Sequence, residues 1–422
     1  MPPAAANVLP FTDARRVVEE KARELHHTKK EDETVPLLEG CGRVLAEAIS
    51  ADRDFPPFAR STRDGYAVRS TDLASLPARL GVVAEIRAGA RLPADAAPVA
   101  AGQAVEIMTG APVPAGADAV VMVEYTSRSG KTVEITRAAS PGENVVAAGS
   151  EARAGGALLA SGTRLGPAHI AVAAAVGRTG LRVHARPRVA LLATGDELVD
   201  VAAQPGPSQI RNSNSYSLAA QVRAAGGEPW LLPVAPDEKA ALGRLLTQGL
   251  SADLLLISGG VSVGKYDLVE QVLAEFQAEF FFTGALIQPG RPVVFGRATQ
   301  PNAAGGGRAT PFFGLPGNPI STLVTFELFV RPVLDALCGA TPSPLVFLKA
   351  RLRAEFKTKT GLTRFLPARL SGEHEAAEVE LVRWQGSGDL AAASRANCYL
   401  VVPPGRDRIP AGELVSVMLP SS

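Results

Sequence analysis

The 422-residue chain is poor in cysteine, in excess charge of either sign and in long apolar runs. Its three cysteines, Cys41, Cys338 and Cys398, are scattered, with no CxxC pair and no histidine at ligand spacing, so we expect reduced structural thiols. A formal net charge of +1, without a basic stripe interleaved with aromatics, argues against a nucleic acid partner. No apolar run is long enough to cross a bilayer and no secretory signal precedes Thr12, so we expect no membrane partner and a cytoplasmic location.

The composition that is present is typical of a globular protein, with 46% hydrophobic and 20% charged residues. Short β-rich runs broken by Pro and Gly indicate an inserted all-β domain at residues 51–144. Residues 184–340 alternate strand and helix patterns, as an α/β domain does. We interpret residues 1–50 and 145–183 as two halves of a split domain, and 341–422 as a small C-terminal β domain. The predicted fold class is multidomain α/β plus all-β.

Local capping and stop signals predict individual elements. Thr12 can cap a first amphipathic helix, and a second helix is expected from near Ser213 to Gly226. The segment 299–311, TQPNAAGGGRATP, has the composition of a flexible surface loop.

Three glycine-marked turns, at 188–198, 253–267 and 311–321, each follow an apolar run. Such runs are typical of strands buried on both faces of a parallel sheet. Ligands of open sheets bind outside the carboxyl ends of the strands, which is where these turns fall. The turns are therefore expected to converge on one polar site.

Carboxylates at or near these turns could hold a hard divalent cation, for which magnesium is best suited. They are Asp196, Glu197, Asp237 and Asp267. Each taken alone could equally be solvated or cap a helix.

The same turns offer groups that could bind an anion. The GGVSVG turn exposes backbone N–H groups, Ser262 and Ser321 add hydroxyls, and Ser321 is expected to open a helix whose N-terminus favours an oxyanion. Taken alone, PGNP is also a good turn and helix start. The GGVSVG turn matches neither GxGxxG nor GxxxxGK[ST], which disfavours dinucleotide and P-loop sites.

Two positions in the β domain carry polar residues at turns. Asp64 lies in STRDGYAV and Thr109 ends a strand in EIMTGAP. Periodicity alone is satisfied if Asp64 forms a hairpin turn and Thr109 caps the following loop.

The order of motifs along nearly the whole chain resembles the molybdopterin molybdenumtransferase family, the MoeA type shared with the E domain of gephyrin. The motifs that carry the resemblance are STRDGYAV, IMTGAPVPAGADAVV, TGDEL, SGGVSVGxxD, QPGRP, GLPGNPIS, QGSG and NCYLVVP.

The resemblance implies a homodimer of elongated, L-shaped subunits. The active-site cleft would lie between the α/β domain of one subunit and the β domain of the other, so that Asp64 and Thr109 face the TGDEL and SGGVSVG turns. The split domain would be the dimerisation domain, and the C-terminal domain would be barrel-like.

The implied reaction converts adenylylated molybdopterin and molybdate into molybdenum cofactor and AMP with Mg²⁺, and a molybdopterin adenylyltransferase is a possible partner. Implied catalytic residues are Asp64, Thr109, Glu197, Asp237 and Asp267. Implied substrate contacts are Gly259, Gly260, Ser262, Gly264, Gln288, Arg291, Pro316, Gly317, Asn318 and Ser321. Implied metal ligands are Asp196, Glu197 and Asp267.

Three departures from the family pattern matter. Many relatives carry KPGKP where this chain has QPGRP, so Gln288 replaces a lysine beside Arg291, and we predict a lower molybdate affinity. The segment NVVAAGSEA lacks the family's arginines and leaves only Glu151 as a counterpart. Arg364 is displaced from the family's position, so that role is not assigned to it.

Three alternatives remain at this point. An adenylyltransferase would share the α/β domain but carry GGTG and lack the N-terminal β domain. A dimeric molybdopterin-binding scaffold with little catalysis is suggested by Gln288 and the missing arginines. A tungstate-inserting enzyme would need the same residues, because the two oxyanions are nearly alike in size and charge.

Overall fold

The computed structural model describes residues 7–28, 31–93, 95–260, 268–299, 308–341 and 343–420. The helices in these ranges are α1 (Phe11–His26), α2 (Pro167–Ala175), α3 (Asn214–Ala224), α4 (Lys239–Gly249), α5 (Leu268–Glu275), α6 (Pro319–Thr325), α7 (Arg331–Leu337) and α8 (Leu390–Arg395). A π-helical turn, Phe326–Val330, joins α6 to α7.

The strands of the first half are β1 (Val8–Leu9), β2 (Asp32–Pro36), β3 (Ile49–Ser50), β4 (Arg60–Ser61), β5 (Gly65–Val68), β6 (Ala78–Ile86), β7 (Gln103–Ile107), β8 (Ala119–Met122), β9 (Thr126–Ser129), β10 (Thr132–Ile135), β11 (Val145–Val146), β12 (Ala157–Leu159), β13 (Gly180–His184), β14 (Arg188–Ala193), β15 (Leu198–Val199) and β16 (Ile210–Arg211). Those of the second half are β17 (Glu228–Leu231), β18 (Leu254–Ser258), β19 (Glu279–Phe282), β20 (Gly284–Ala285), β21 (Ile287–Gln288), β22 (Val294–Thr299), β23 (Ala309–Leu315), β24 (Leu348–Leu352), β25 (Phe356–Lys357), β26 (Thr363–Ser371), β27 (Glu378–Leu381), β28 (Cys398–Val402), β29 (Arg408–Ile409) and β30 (Leu414–Met418).

Two distant segments form one small unit beside the β insertion. Strand β2 pairs with β13, and β3 pairs with β12, both antiparallel. Leu45, Leu165 and Leu181 are at most 2% exposed and pack in one cluster, so apolar burial joins the two segments.

The β insertion contains one six-stranded sheet with the order β8-β5-β7-β6-β10-β9. Its strands are rich in Val and Ile with small Ala between them, and all four residues of β5 are buried. Close pairing requires glycine at Gly65, because a Cβ there would lie 1.9 Å from Val121 O.

A six-stranded sheet in the order β17-β14-β18-β23-β22-β19 forms the centre of the α/β region. Strands β14, β18 and β23 pair in parallel, and all five residues of β18 are buried. This confirms the α/β character read from the continuous apolar runs. Helix α3 begins after Ser213, as predicted.

Helix α1 packs on this α/β core, whereas the sequence grouping placed it with the split domain. Ala14 and Val18 are fully buried in the same cluster as Phe329, and β1 pairs with β20. The helix begins at Phe11 after Pro10, so Thr12 lies inside it and provides no side-chain cap. Buried Arg15 donates to Leu328 O in the π-helical turn.

The C-terminal region forms a closed five-stranded barrel of β24, β26, β27, β28 and β30, with β21 attached to β26. Closure leaves the barrel without a free edge among these strands. Within the ranges that the structure describes, no helix is long and apolar enough to span a membrane.

Candidate functional site

A cavity of about 810 Å³ lies at the carboxyl ends of β14, β18 and β23, where the three glycine-marked turns were expected to meet. Seven of the sequence-predicted site residues line it: Glu197, Asp237, Gly259, Gly260, Pro316, Gly317 and Asn318. The other described lining residues are Thr194, Gly195, Leu198, Ile210, Arg211, Asn212, Ser213, Asn214, Ser258, Pro292, Pro319, Gly388 and Leu390. The structure thus brings the turns of all three strands to one place.

In the turn after β14, the Glu197 carboxylate lies against the backbone of Gly195. Thr194 N donates to Ser258 O at 3.1 Å, which holds the turn beside β18. A Cβ added to Gly195 would lie 2.4 Å from Glu197 Oε2, so glycine at this position leaves room for the Glu197 carboxylate.

Asp196 and Asp237 link two loops at the edge of the cavity. Asp237 N donates to Asp196 Oδ1 at 3.1 Å, and Thr194 Oγ1 donates to Asp237 Oδ1 at 3.3 Å. Asp237 lines the cavity, whereas Asp196 holds the Asp237 backbone and is not part of the lining.

Of the three predicted metal ligands, the structure describes Asp196 and Glu197, whereas Asp267 lies outside the described residues. Among the residues that the structure does describe, no group of three or more His, Cys, Asp or Glu is close enough to hold a metal ion. Two carboxylates, Glu197 and Asp237, nevertheless line one cavity, and hard divalent cations prefer such oxygen ligands.

The turn after β18 needs glycine for a close approach of two backbones. Gly259 has φ +85°, and a Cβ there would lie 2.5 Å from Thr194 O. Gly260 has φ +64°, and its Cβ would lie 3.0 Å from Thr194 Oγ1. Ser262 and Gly264, the other predicted contacts of this turn, lie outside the described residues.

The PGNP turn after β23 begins a helix, as the Asn-Pro pair indicated. Asn318 precedes α6 in extended conformation and Pro319 is its first residue, so Ser321 lies inside the first turn and does not open the helix. Ser321 is 3% exposed and is not among the lining residues. Ile320 N donates to Ser387 O at 2.9 Å, so one N–H expected to face an oxyanion already has a partner.

Sequence reasoning missed the RNSNS segment, residues 211–215, of which the first four line the cavity. Asn214 Nδ2 donates to Gly317 O at 2.7 Å, and Asn212 Oδ1 accepts from Ser215 N at 3.2 Å. Asn214 Oδ1 is buried and has no hydrogen-bond partner among the described residues. The polar run directly before a helix was a visible signal, but it was interpreted only as a helix start.

The C-terminal domain also reaches the cavity through Gly388 and Leu390. The QGSG motif, which carries part of the family resemblance, lies beside the PGNP turn because Ile320 N donates a hydrogen bond to Ser387 O.

Gln288 and Arg291 lie apart from the residues above. Gln288 lines a second cavity of about 660 Å³ together with Arg364, Arg383 and Arg395. Strand pairing brings Gln288 opposite Arg364, which is 6% exposed and whose pKa is lowered by burial. Three arginines and Asp389 therefore share a cavity with Gln288, the position at which relatives carry a lysine. Arg291 is exposed, and its neighbour Pro292 lines the first cavity.

Asp64 and Thr109 contact each other in the β domain. Thr109 N and Oγ1 donate to Asp64 Oδ1 at 2.6 and 2.8 Å, which lowers the pKa of the Asp64 carboxyl. Both residues are exposed, and no described residue of the β domain lines the first cavity of the same chain. Glu151 forms an ion pair of 3.5 Å with Arg60.

Three sequence profiles match successive parts of the chain. Residues 9–177 match the MoeA N-terminal region (domain I and II), 190–336 match a probable molybdopterin binding domain, and 349–419 match the MoeA C-terminal region (domain IV).

Whole proteins are similar over the same length. A molybdopterin molybdenumtransferase of Nostoc sp. is 37% identical over 411 residues, which cover 93% of this chain and 89% of that protein. One of Bacillus subtilis is 34% identical over 414 residues, covering 95% and 93%. The crystal structure of a molybdopterin biosynthesis MoeA protein from Pyrococcus horikoshii has a TM-score of 0.75 at 28% identity and covers 98% of this chain and 100% of that one.

Proposed function

Because the chain belongs to the molybdopterin molybdenumtransferase family, we propose that it inserts molybdenum from molybdate into adenylylated molybdopterin and releases AMP with the molybdenum cofactor. It is a transferase of molybdenum cofactor biosynthesis. The observation that carries the proposal is the cavity of about 810 Å³ in which the TGDEL, SGG and PGNP turns meet.

The acidic lining supports a metal-assisted reaction. A divalent cation, when bound, neutralises charge on the phosphates as their link is cleaved. Mg²⁺ would be held by Glu197 together with Asp267 and Asp196, as the resemblance implied, and Asp237 would complete the carboxylate set of the cavity. The support is the donor type, since Glu197 and Asp237 both present oxygen ligands to the same space.

The turns would bind the substrate through backbone and small side chains. Gly259 and Gly260 line the cavity, where their backbone would face the substrate, while the absence of Cβ lets both pack against Thr194. Pro316, Gly317 and Asn318 line the same cavity beside this turn. Ser262, Gly264 and Ser321 remain proposed substrate contacts.

Molybdate would enter near Gln288 and Arg291. The support is positive charge, because the cavity that Gln288 lines also holds Arg364, Arg383 and Arg395. Arginine binds oxyanions with paired hydrogen bonds, so these three side chains would supply positive charge beside Gln288, although Asp389 lines the same cavity. The lower molybdate affinity expected from the missing lysine stays a prediction.

We further propose a homodimer in which Asp64 and Thr109 complete the cavity of the partner subunit. The exposed Asp64 carboxylate is held by two hydrogen bonds from Thr109, and neither residue lines the first cavity of its own chain. A fixed, exposed acid outside the lining of its own chain's cavity is compatible with a site shared between two subunits. A molybdopterin adenylyltransferase is the proposed partner that supplies the substrate.

The test is AMP release from adenylylated molybdopterin by the purified protein with Mg²⁺ over a molybdate titration. Release that rises and saturates with molybdate supports the transferase. Binding of the substrate without release would favour the scaffold instead, and a parallel tungstate titration separates the two oxyanions.

A further inference from the structure

We propose that Arg211 binds the phosphate of the nucleotide part of the substrate, with Ile210 as the apolar surface beside it. This inference rests on the proposed function, since it names a contact within the same cavity. Neither residue was among the sequence-predicted site residues, and both line the cavity.

Backbone pairing fixes Arg211 at the rim. Strands β15 and β16 pair in parallel, with Leu198 opposite Ile210 and Val199 opposite Arg211. Ile210 N donates to Glu197 O at 2.8 Å, so the strand that carries Arg211 is tied directly to the Glu197 turn. A cation and a proposed metal-binding carboxylate are therefore held on one small structural unit.

Arg211 is the one cationic side chain among the described residues that line this cavity. Its Nε donates to Ala203 O at 3.1 Å, and it forms no ion pair with a described acidic residue. This bond orients the guanidinium, and within the part of the chain that the structure describes both Nη groups are left for a ligand. A planar guanidinium can donate two parallel hydrogen bonds to a phosphate.

The surroundings favour a nucleotide phosphate over molybdate as the bound oxyanion. Ile210 is 58% exposed at the rim and Leu198 lies opposite it, which gives an apolar surface that a heterocycle can cover. Molybdate has no apolar part to place there. An anion must also overcome repulsion from Glu197 and Asp237, and Arg211 supplies the compensating charge.

The experiment is a binding cycle by calorimetry with two ligands, AMP and adenosine, in the presence of Mg²⁺. Four proteins are compared: wild type, Arg211→Met, which removes the charge but keeps the apolar stem, Arg211→Lys, and Arg223→Met. Arg223 is an exposed arginine in the last turn of α3 and does not line the cavity, so it is a matched control.

We expect Arg211→Met to weaken AMP binding about tenfold or more and to leave adenosine binding unchanged, because only AMP carries the phosphate. Arg211→Lys should lose less AMP affinity, since lysine keeps the positive charge but lacks the paired N–H donors of the guanidinium. Arg223→Met should bind both ligands as wild type does.

Several results would overturn the inference. They are an equal loss for AMP and adenosine, no loss for AMP, no AMP binding by the wild type, or a change confined to the molybdate dependence of turnover. Molybdate-dependent AMP release by the wild type is measured separately. If that release is absent while Arg211→Met weakens the binding of AMP but not of adenosine, the proposed function fails and the phosphate contact stands. If release occurs but Arg211→Met does not weaken AMP binding selectively, the proposed function stands and the phosphate contact fails.

Discussion

Asn214 Nδ2 donates a hydrogen bond of 2.7 Å to Gly317 O and so joins the RNSNS segment to the PGNP turn. The two residues are 103 positions apart in sequence. Because Gly317 and Asn214 both line the cavity, this bond holds two segments of its lining together.

Asn214→Ala should therefore lower the activity of the site more than the stability of the fold. We expect kcat/KM for AMP release to fall about tenfold, because a wall displaced by a fraction of an ångström misplaces the substrate. Asn214→Asp, which keeps the size but cannot donate to a carbonyl, should fall as far. Unchanged kinetics in both variants would show that the bond does not position the site.

Glu197→Gln should remove most of the metal-dependent turnover, about a hundredfold or more, while the protein stays folded. The side chain is exposed at the cavity and folds over Gly195, so its loss leaves no buried group unpaired. Glu238→Gln is the control, since this exposed residue near Asp237 does not line the cavity. Turnover of Glu197→Gln equal to that of the control would remove Glu197 from the proposed ligand set.

Gly259→Ala should damage the cavity through a steric clash. Its φ of +85° and a Cβ position 2.5 Å from Thr194 O require the β14 and β18 turns to move apart. Gly412 has φ +81° with nothing within 4 Å, so Gly412→Ala isolates the backbone strain, which costs about 1–2 kcal/mol. We expect chemical denaturation to show a larger loss for Gly259→Ala, together with lost activity that Gly412→Ala retains. Equal losses would contradict the clash.

Cysteine reactivity should follow burial. Burial raises the pKa of Cys338 and of Cys398 to about 11, so both remain protonated thiols near neutral pH. Cys41 is exposed. Brief treatment of the native protein with iodoacetamide should modify Cys41 alone, and treatment in denaturant should modify all three, as mass spectrometry of peptides would show. Rapid native labelling of Cys338 would contradict its packing beside Ala225 O.

Mixed dimers test the proposed sharing of the site between subunits. Asp64→Asn and Glu197→Gln should each be nearly inactive alone, because each spoils both clefts of its homodimer. After dissociation and reassociation of the two variants together, activity should return to about a quarter of wild type, since half of the dimers are mixed and each has one intact cleft. No recovery despite verified mixed dimers would place both residues in one subunit's site or leave Asp64 outside it.

The sequence predicted the location of the cavity because parallel strands have a strong signature. Continuous apolar runs identified β14, β18 and β23, and the carboxyl ends of parallel strands share one edge. The residues of those turns, such as Glu197 and Gly317, could therefore be assigned to one place.

Contacts set by long-range packing could not be read in the same way. The amphipathic pattern of α1 shows that one face is buried, but not that Val18 packs with Phe329 on the α/β core. Likewise the pairing of Gln288 with Arg364 depends on how the barrel docks, which no local pattern encodes. For that reason the sequence could not show that Arg364, Arg383 and Arg395 share a cavity with Gln288. The QPGRP motif by itself indicated only that one positive charge is missing at position 288.

The molybdenum content of the pterin product, measured against the AMP released, tests molybdenum insertion most directly. With adenylylated molybdopterin, Mg²⁺ and molybdate, we expect molybdenum in the pterin fraction to rise in equal amount with AMP, and both to be lost in Glu197→Gln. AMP release without molybdenum in the pterin would mean simple hydrolysis and would rule out insertion.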